Sequence, residues 1–170
     1  GPAIDAFEEA LARNAESRFA VACSSGTAAL HLAMCAAGVG DGDYVGVPTL
    51  TFLATANAAR YAGAEVHFTD VDPDNGLMRA SDAHSAMESG AKAIVPVHLA
   101  GQMVDMSVLG PAARDRGVIV IEDACHALGG RQIGSNRREA PVGSCHDSDM
   151  AVFSFHPFKT VTTAGEGGAI

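Results

Sequence analysis

The chain has 170 residues, 48% of them apolar, and carries 11 lysines and arginines against 20 aspartates and glutamates, a formal charge of −9. That length fits one domain, or one domain plus a piece of a second, and the apolar content fills a core rather than describing a disordered chain. No basic run is longer than Arg137–Arg138, and no apolar run approaches the length of a membrane span, so neither nucleic acid nor a bilayer is an expected partner.

Taken in order, the chain alternates helical and strand patterns. Ile4, Phe7, Leu11 and Ala15 are spaced as one face of a helix over 4–15. Residues 19–23 read as a short apolar strand, and 27–37, rich in alanine and leucine, as a helix. Gly38, Gly40 and Gly42 then mark a turn. A strand is expected over 44–48, a helix over 52–61 ending at Gly63, and a strand over 65–69. A helix over 81–88 has Ser81 or Asp82 as its cap. Residues 93–98 read as a buried strand opened by Lys92. A helix follows over 105–116, its start blurred by Gly110-Pro111, and then strands over 118–121 and 149–155. Repeated βα units predict an α/β fold of three layers, α/β/α, with a mostly parallel sheet. Such a sheet holds its ligands at the carboxyl ends of its strands. The chain closes on what reads as a fresh strand, 168–170, so the expectation is a piece of a longer protein.

Four segments with chemical potential fall at those carboxyl ends. Ser24-Ser25-Gly26-Thr27 joins a strand to a helix. Exposed N–H groups at a helix N-terminus, small hydroxyls and a glycine make an anion site, although plain capping by Ser25 or Thr27 explains the same residues. Thr51-Phe52 follows the second strand, and Phe52 can lie against a flat ring or simply pack in the core. Glu122-Asp123 ends a Val/Ile strand, where an acidic pair is costly unless partnered or functional. Asp123 can hold a protonated ring nitrogen, with His126 in reach of the same ligand; the alternative is a capping aspartate and a satisfied core histidine. Ser154 and Lys159 flank His156-Pro157, and Lys159 is one of two lysines in the chain. A lysine on a rigid turn in a poorly solvated pocket is suited to Schiff-base chemistry, whereas alone it reads as a surface residue.

Other patterns carry less. Residues 70–76, DVDPDNG, have some of the acids of a calcium loop, but a proline interrupts them, the glycine is a place late and the twelfth position is Ser81. The cysteines (Cys23, Cys35, Cys125, Cys145) form no C-x-x-C pair, and with the histidines they show no metal-ligand spacing, so no metal is expected. The opening residues lack the charged and apolar regions of a signal peptide, and free thiols suit a reducing compartment. The expectation is a soluble, cytoplasmic protein.

SSGTAALHLA, TFLATANA, EDACHALGG and FSFHPFKTVTTAGEGG, in this order, resemble the sugar aminotransferases of the DegT/DnrJ/EryC1/StrS family, across the whole of 1–170. The resemblance implies the large domain of a fold type I pyridoxal 5′-phosphate enzyme, incomplete here, with a smaller C-terminal domain outside residues 1–170. It implies that Lys159 is the Schiff-base lysine and acid/base and that Asp123 holds the ring nitrogen's proton. Phe52 would stack on the ring, His126 would lie near the phenolic oxygen, and Ser25, Gly26, Thr27 and Ser154 would hold the phosphate. A homodimer whose partner completes the site is implied as well. Lysine rather than histidine at 159 points to transamination rather than dehydration. Within the family, VDPDNGLM, VPVHLAGQMVDM, EDACHALGG and FSFHPFK are similar to the branch of pseudaminic acid synthesis. That branch implies amino transfer from L-glutamate to C4 of a UDP-linked 4-keto-6-deoxy-N-acetylhexosamine. The alternatives are another nucleotide-linked keto sugar (dTDP- or GDP-linked, such as a perosamine precursor) and a non-catalytic pyridoxal-phosphate module. The stretch 131–141, with Arg131, Arg137 and Arg138, looks longer than usual for the family and is expected to be a mobile loop.

Overall fold

The computed structural model describes residues 1–170. A seven-stranded sheet runs in the order β1-β9-β8-β5-β4-β2-β3, from β1 (Ala22–Cys23), β2 (Tyr44–Pro48), β3 (Glu65–Thr69), β4 (Ala93–Ile94), β5 (Ile119–Asp123), β8 (Met150–Ser154) and β9 (Gly168–Ala169). The pairs β2–β3, β2–β4, β4–β5 and β5–β8 are parallel. β9 is antiparallel to both its neighbours, β1 and β8, so β1 points the same way as the parallel strands. The expected mostly parallel sheet is therefore present, with one reversed strand near its edge.

Strand alternation sorts side chains into two helical layers. Val45, Val47, Ala93, Val95, Ile121 and Val152 face α2 (Gly26–Ala36) and α3 (Leu53–Tyr61). Ile94 and Val120 face α4 (Ala80–Glu88) and α5 (Met106–Arg114). Gly46 lies between the layers where a Cβ would come within 3.0 Å of both Ala86 Cβ and Ile94 Cγ2, which brings α4 close to the sheet. α1 (Pro2–Ala15) adds Leu11 and Phe7 over Phe153 and Phe155, with the Phe7 and Phe155 rings edge to face at 5.2 Å.

Several boundaries differ from expectation for local reasons. Of residues 19–23 only Ala22–Cys23 pair as strand, and Phe19 is exposed. β4 ends at Ile94, since Pro96 has no N–H to give a ladder; Val97 makes a single bridge to Asp123. Lys92 is exposed at its entry rather than buried. α4 has neither Ser81 nor Asp82 as its cap: it starts at Ala80 behind Arg79, and Asp82 instead pairs with Arg79 Nε at 2.6 Å. Residues 131–141 are not a mobile loop. They form a hairpin of β6 (Arg131–Ile133) and β7 (Glu139–Pro141), its turn held by Gly134 N–H donating to Arg138 O at 3.0 Å. The hairpin is tied down by Ser135, whose N–H donates to Asp147 Oδ2 at 2.7 Å, and by Gln132 Nε2 on Glu122 at 3.3 Å. The acidic turn 70–76 bonds its own backbone: Asp72 accepts from Asp74 N–H and Asn75 from Leu77 N–H.

Candidate active site

A cavity of about 460 Å³ opens at the carboxyl ends of the parallel strands. That is the size of a site for a small cofactor and its substrate. The eight residues expected to bind a cofactor line it: Ser25, Gly26 and Thr27 after β1, Phe52 after β2, Asp123 and His126 after β5, and Ser154 and Lys159 after β8. They come together because β1, β2, β5 and β8 all point to this end.

The β1–α2 junction builds one wall. Ser25, extended at φ −168°, caps α2 by accepting Ala28 N–H on Oγ at 3.1 Å, and its own hydroxyl hydrogen stays free to donate. The Gly26 and Thr27 N–H groups have no acceptor within the chain. A Cβ on Gly26 would lie 2.7 Å from Ser154 Cβ and 3.1 Å from Cys125 Sγ, so only glycine lets α2 begin here against β8. Two free N–H groups, two hydroxyls and the positive end of a helix dipole form a cradle for a phosphate-like anion.

Asp123 forms the opposite wall and is 5% exposed. Its Oδ2 accepts the Thr55 hydroxyl at 2.8 Å, and Oδ1 accepts Cys125 N–H at 3.2 Å. Thr55 is itself bonded to Thr51 at 2.7 Å. With the Thr55 hydrogen committed to Asp123, Thr51 must donate to Thr55 and offers only lone pairs onward. Sequence reasoning singled out Thr51 but missed Thr55; their i, i+4 spacing across the start of α3 was the available signal. Adjacent Glu122 points to the other face. It is buried and accepts from His98 Nε2 at 2.7 Å, Gln132 Nε2 and the Ser148 hydroxyl. The acidic pair therefore splits into one carboxylate in the site and one behind it.

Phe52 precedes α3 in extended conformation and leaves 65% of its surface open, so it is not a core residue. Lys159 is half-buried on the turn closed by its N–H donating to His156 O at 2.8 Å, and it is the only lysine or arginine in the cavity walls. His126 accepts Ala100 N–H on Nδ1 at 3.3 Å. Burial, then the Lys159 charge, push its pKa below the ordinary histidine value, while Asp123 pulls the other way. Burial foremost, with the Asp123 carboxylate adding, pushes the Cys125 thiol far up, so it is an inert packing group and not a nucleophile. His156 and Glu166, also unforeseen in the site, pair at 3.5 Å at the mouth. An amine, a buried carboxylate, an anion cradle and an open aromatic face suit a phosphorylated aromatic aldehyde.

The comparisons agree with that chemistry. The family described as the DegT/DnrJ/EryC1/StrS aminotransferase family matches residues 1–170. GDP-perosamine synthase of Caulobacter vibrioides is 42% identical over all of this chain, which spans 44% of that protein's length. Among solved structures, S. venezuelae DesV in complex with a ketimine intermediate superposes with a TM-score of 0.90 at 33% identity, covering 99% of this chain and 44% of that one. The PLP-form of Spr1654 from Streptococcus pneumoniae gives 0.89 at 31% identity, covering 99% of this chain and 45% of that one.

Proposed function

Because the chain belongs to the DegT/DnrJ/EryC1/StrS aminotransferase family, we propose that it is the cofactor-binding large domain of a pyridoxal 5′-phosphate-dependent aminotransferase acting on a nucleotide-linked keto sugar. The observation that carries this reading is the meeting of Lys159 and buried Asp123 in one cavity with the Gly26 anion cradle. The residues fit the cofactor: the cradle would take its phosphate, Asp123 its ring nitrogen, Phe52 its ring face and Lys159 its aldehyde. When bound, the cofactor supplies a conjugated ring that takes up the electron pair left as an amino-bearing carbon loses its proton.

The chain's own residues do the rest. As the neutral amine Lys159 would remove that proton and, once protonated, return it at the neighbouring position; it is the only lysine or arginine that lines the cavity. Asp123, oriented by Thr55 and the Cys125 amide, keeps a proton on the ring nitrogen, which sustains the ring's appetite for electrons. Ser25, Gly26, Thr27 and Ser154 would bind the phosphate at the head of α2, and His126 would donate to the phenolic oxygen; all five line the cavity.

For the substrate, we read a GDP-linked keto sugar as first candidate, supported by the 42% identity to GDP-perosamine synthase. The UDP-linked 4-keto-6-deoxy-N-acetylhexosamine of pseudaminic acid synthesis is the second, supported by His126 at the third place after Asp123 and by the segments VDPDNGLM and VPVHLAGQMVDM. L-glutamate is the proposed amino donor. A homodimer is proposed on the exposed apolar rim of Leu50, Phe52, Leu53 and Phe158 beside the cavity. A cytoplasmic location is proposed on the free cysteines, which suit a reducing compartment. No helix is long and apolar enough to cross a membrane.

Borohydride treatment of the full-length, cofactor-saturated protein should leave a pyridoxyl group on Lys159, and Lys159→Ala should lose both that label and turnover. An unlabelled Lys159 in active protein ends this reading. Turnover with glutamate on GDP-, UDP- and dTDP-linked 4-keto sugars then separates the substrate candidates, and sedimentation of the full-length protein tests the dimer.

A further inference from the structure

Neutral histidine exists as two tautomers, and only one of them donates from a given ring nitrogen. Burial and the Lys159 charge hold His126 neutral over more of the pH range than a free histidine, while Asp123 opposes them. His126 lines the cavity, its Nδ1 is taken by Ala100 N–H at 3.3 Å, and its Nε2 has no partner in the chain. We propose that the turn from Val97 to Gly101 is a positioning element that fixes the His126 proton on Nε2, so that the side chain faces the cavity as a permanent hydrogen-bond donor.

The turn is built to aim one amide. Pro96 ends the β4 ladder, and His98 N–H then donates to Asp123 O at 3.1 Å, which registers the turn on the strand that carries the site. The His98 side chain is fully buried. Its Nδ1 accepts Val104 N–H at 3.1 Å, so its own proton lies on Nε2 and is donated to Glu122 at 2.7 Å. Glu122 also accepts from Gln132 and Ser148, so the anchor reaches into the β6–β7 hairpin and the loop before β8. Beyond this anchor Ala100 adopts φ 53°, ψ 25° and Gly101 φ 83°. A left-handed conformation is strained for alanine and is held here by the surrounding turn. The Ala100 N–H has no backbone acceptor in this turn and donates to His126 instead. Two histidines are thus set in the same tautomer by backbone amides, one behind the site and one in it.

The consequence for catalysis rests on the reading of the cavity as a pyridoxal-phosphate site; the tautomer itself does not. A fixed Nε2–H stabilises an anionic phenolic oxygen, whereas a mixture of tautomers leaves part of the population presenting a lone pair to it.

The test is ¹⁵N-histidine NMR on the full-length protein without cofactor at pH 8, with His126 assigned by its loss in His126→Gln. The expected spectrum shows His126 protonated at Nε2 and bare at Nδ1. Protonation at Nδ1, or a mixture, overturns the proposal. Replacing Ala100 with its α-hydroxy analogue, lactic acid, removes the N–H alone and should yield a mixture of tautomers with roughly fivefold weaker cofactor binding, the loss expected for one hydrogen bond. Ala100→Gly keeps the N–H and the left-handed turn, and should keep the original pattern. An unchanged tautomer in the lactate variant assigns the control elsewhere and also overturns the proposal. Failure of borohydride labelling at Lys159 would remove the cofactor reading while leaving these spectra unaffected.

Discussion

At the scale of single residues, the site depends on what is missing from Gly26 and on what Asp123 receives. A methyl group at 26 would press on Ser154 and Cys125, the two side chains that close the cradle. Gly26→Ala should destabilise by about 1–3 kcal/mol, as overpacking does, and weaken cofactor binding at least tenfold in a fluorescence titration. A variant that binds as tightly as the parent would show that the cradle has room. Thr55→Val keeps the shape of α3 and removes the hydroxyl that donates to Asp123 Oδ2. The stability loss should be about 1–3 kcal/mol by urea denaturation, since a buried acceptor loses its partner. Thr55→Ser, which restores the hydroxyl, should recover most of the loss.

At the scale of elements, caps and buried networks separate what is local from what is shared. Asp105 caps α5 by accepting Ser107 N–H at 3.0 Å. Asp105→Ala should cost about 1 kcal/mol, and an unchanged urea midpoint would deny the cap any weight. Glu122 joins three elements, so its removal is a larger event. Glu122→Ala leaves the buried His98 without its acceptor and takes a partner from half-buried Gln132 and Ser148, and should cost about 2–3 kcal/mol. Hydrogen exchange should then rise together in the β6–β7 hairpin and in the Val97–Gly101 turn. A rise in one alone would show that they are not coupled through this carboxylate.

At the scale of the whole molecule, the packed sheet controls thiol chemistry and its pH dependence. Cys35 is exposed, while burial raises Cys23, Cys125 and Cys145 above the ordinary thiol range. Native protein at pH 8 should therefore react first at Cys35 with a thiol reagent. Cys145 is pushed up to about 11, mainly by burial and then by the Glu122 charge, from an ordinary 9.0. Its folded value lies above its unfolded one, so below pH 9 its contribution to stability is complete, and it is lost as the pH rises from 9 through about 11. Cys145→Ala should flatten the fall in the urea midpoint across that window. His126 works in the opposite direction: its folded value is depressed, so the unfolded state takes the proton first and stability falls as the pH drops below 6.5.

By itself the sequence determined the alternation of elements and most of the site. β2 and β3 are legible as short apolar or alternating runs, α1 because its apolar spacing is helical, and α2 because it is rich in alanine and leucine with no breaker. Lys159, Asp123, Phe52 and the Ser25–Thr27 turn were legible because parallel sheets collect such residues at strand ends, and because their order resembles one family. The hairpin at 131–141 was not, since RQI and EAP have no strand-like alternation and are tied to the sheet by distant groups, Gln132 of β6 by Glu122 and Ser135 of the turn by Asp147. Thr55, His98 and the Ala100 amide were hidden for a similar reason. Each acts through a partner distant in sequence, on a strand or turn that only the folded sheet brings alongside. Local pattern fixes which face a side chain takes; whether it finds a donor there is decided by the packing of the layers.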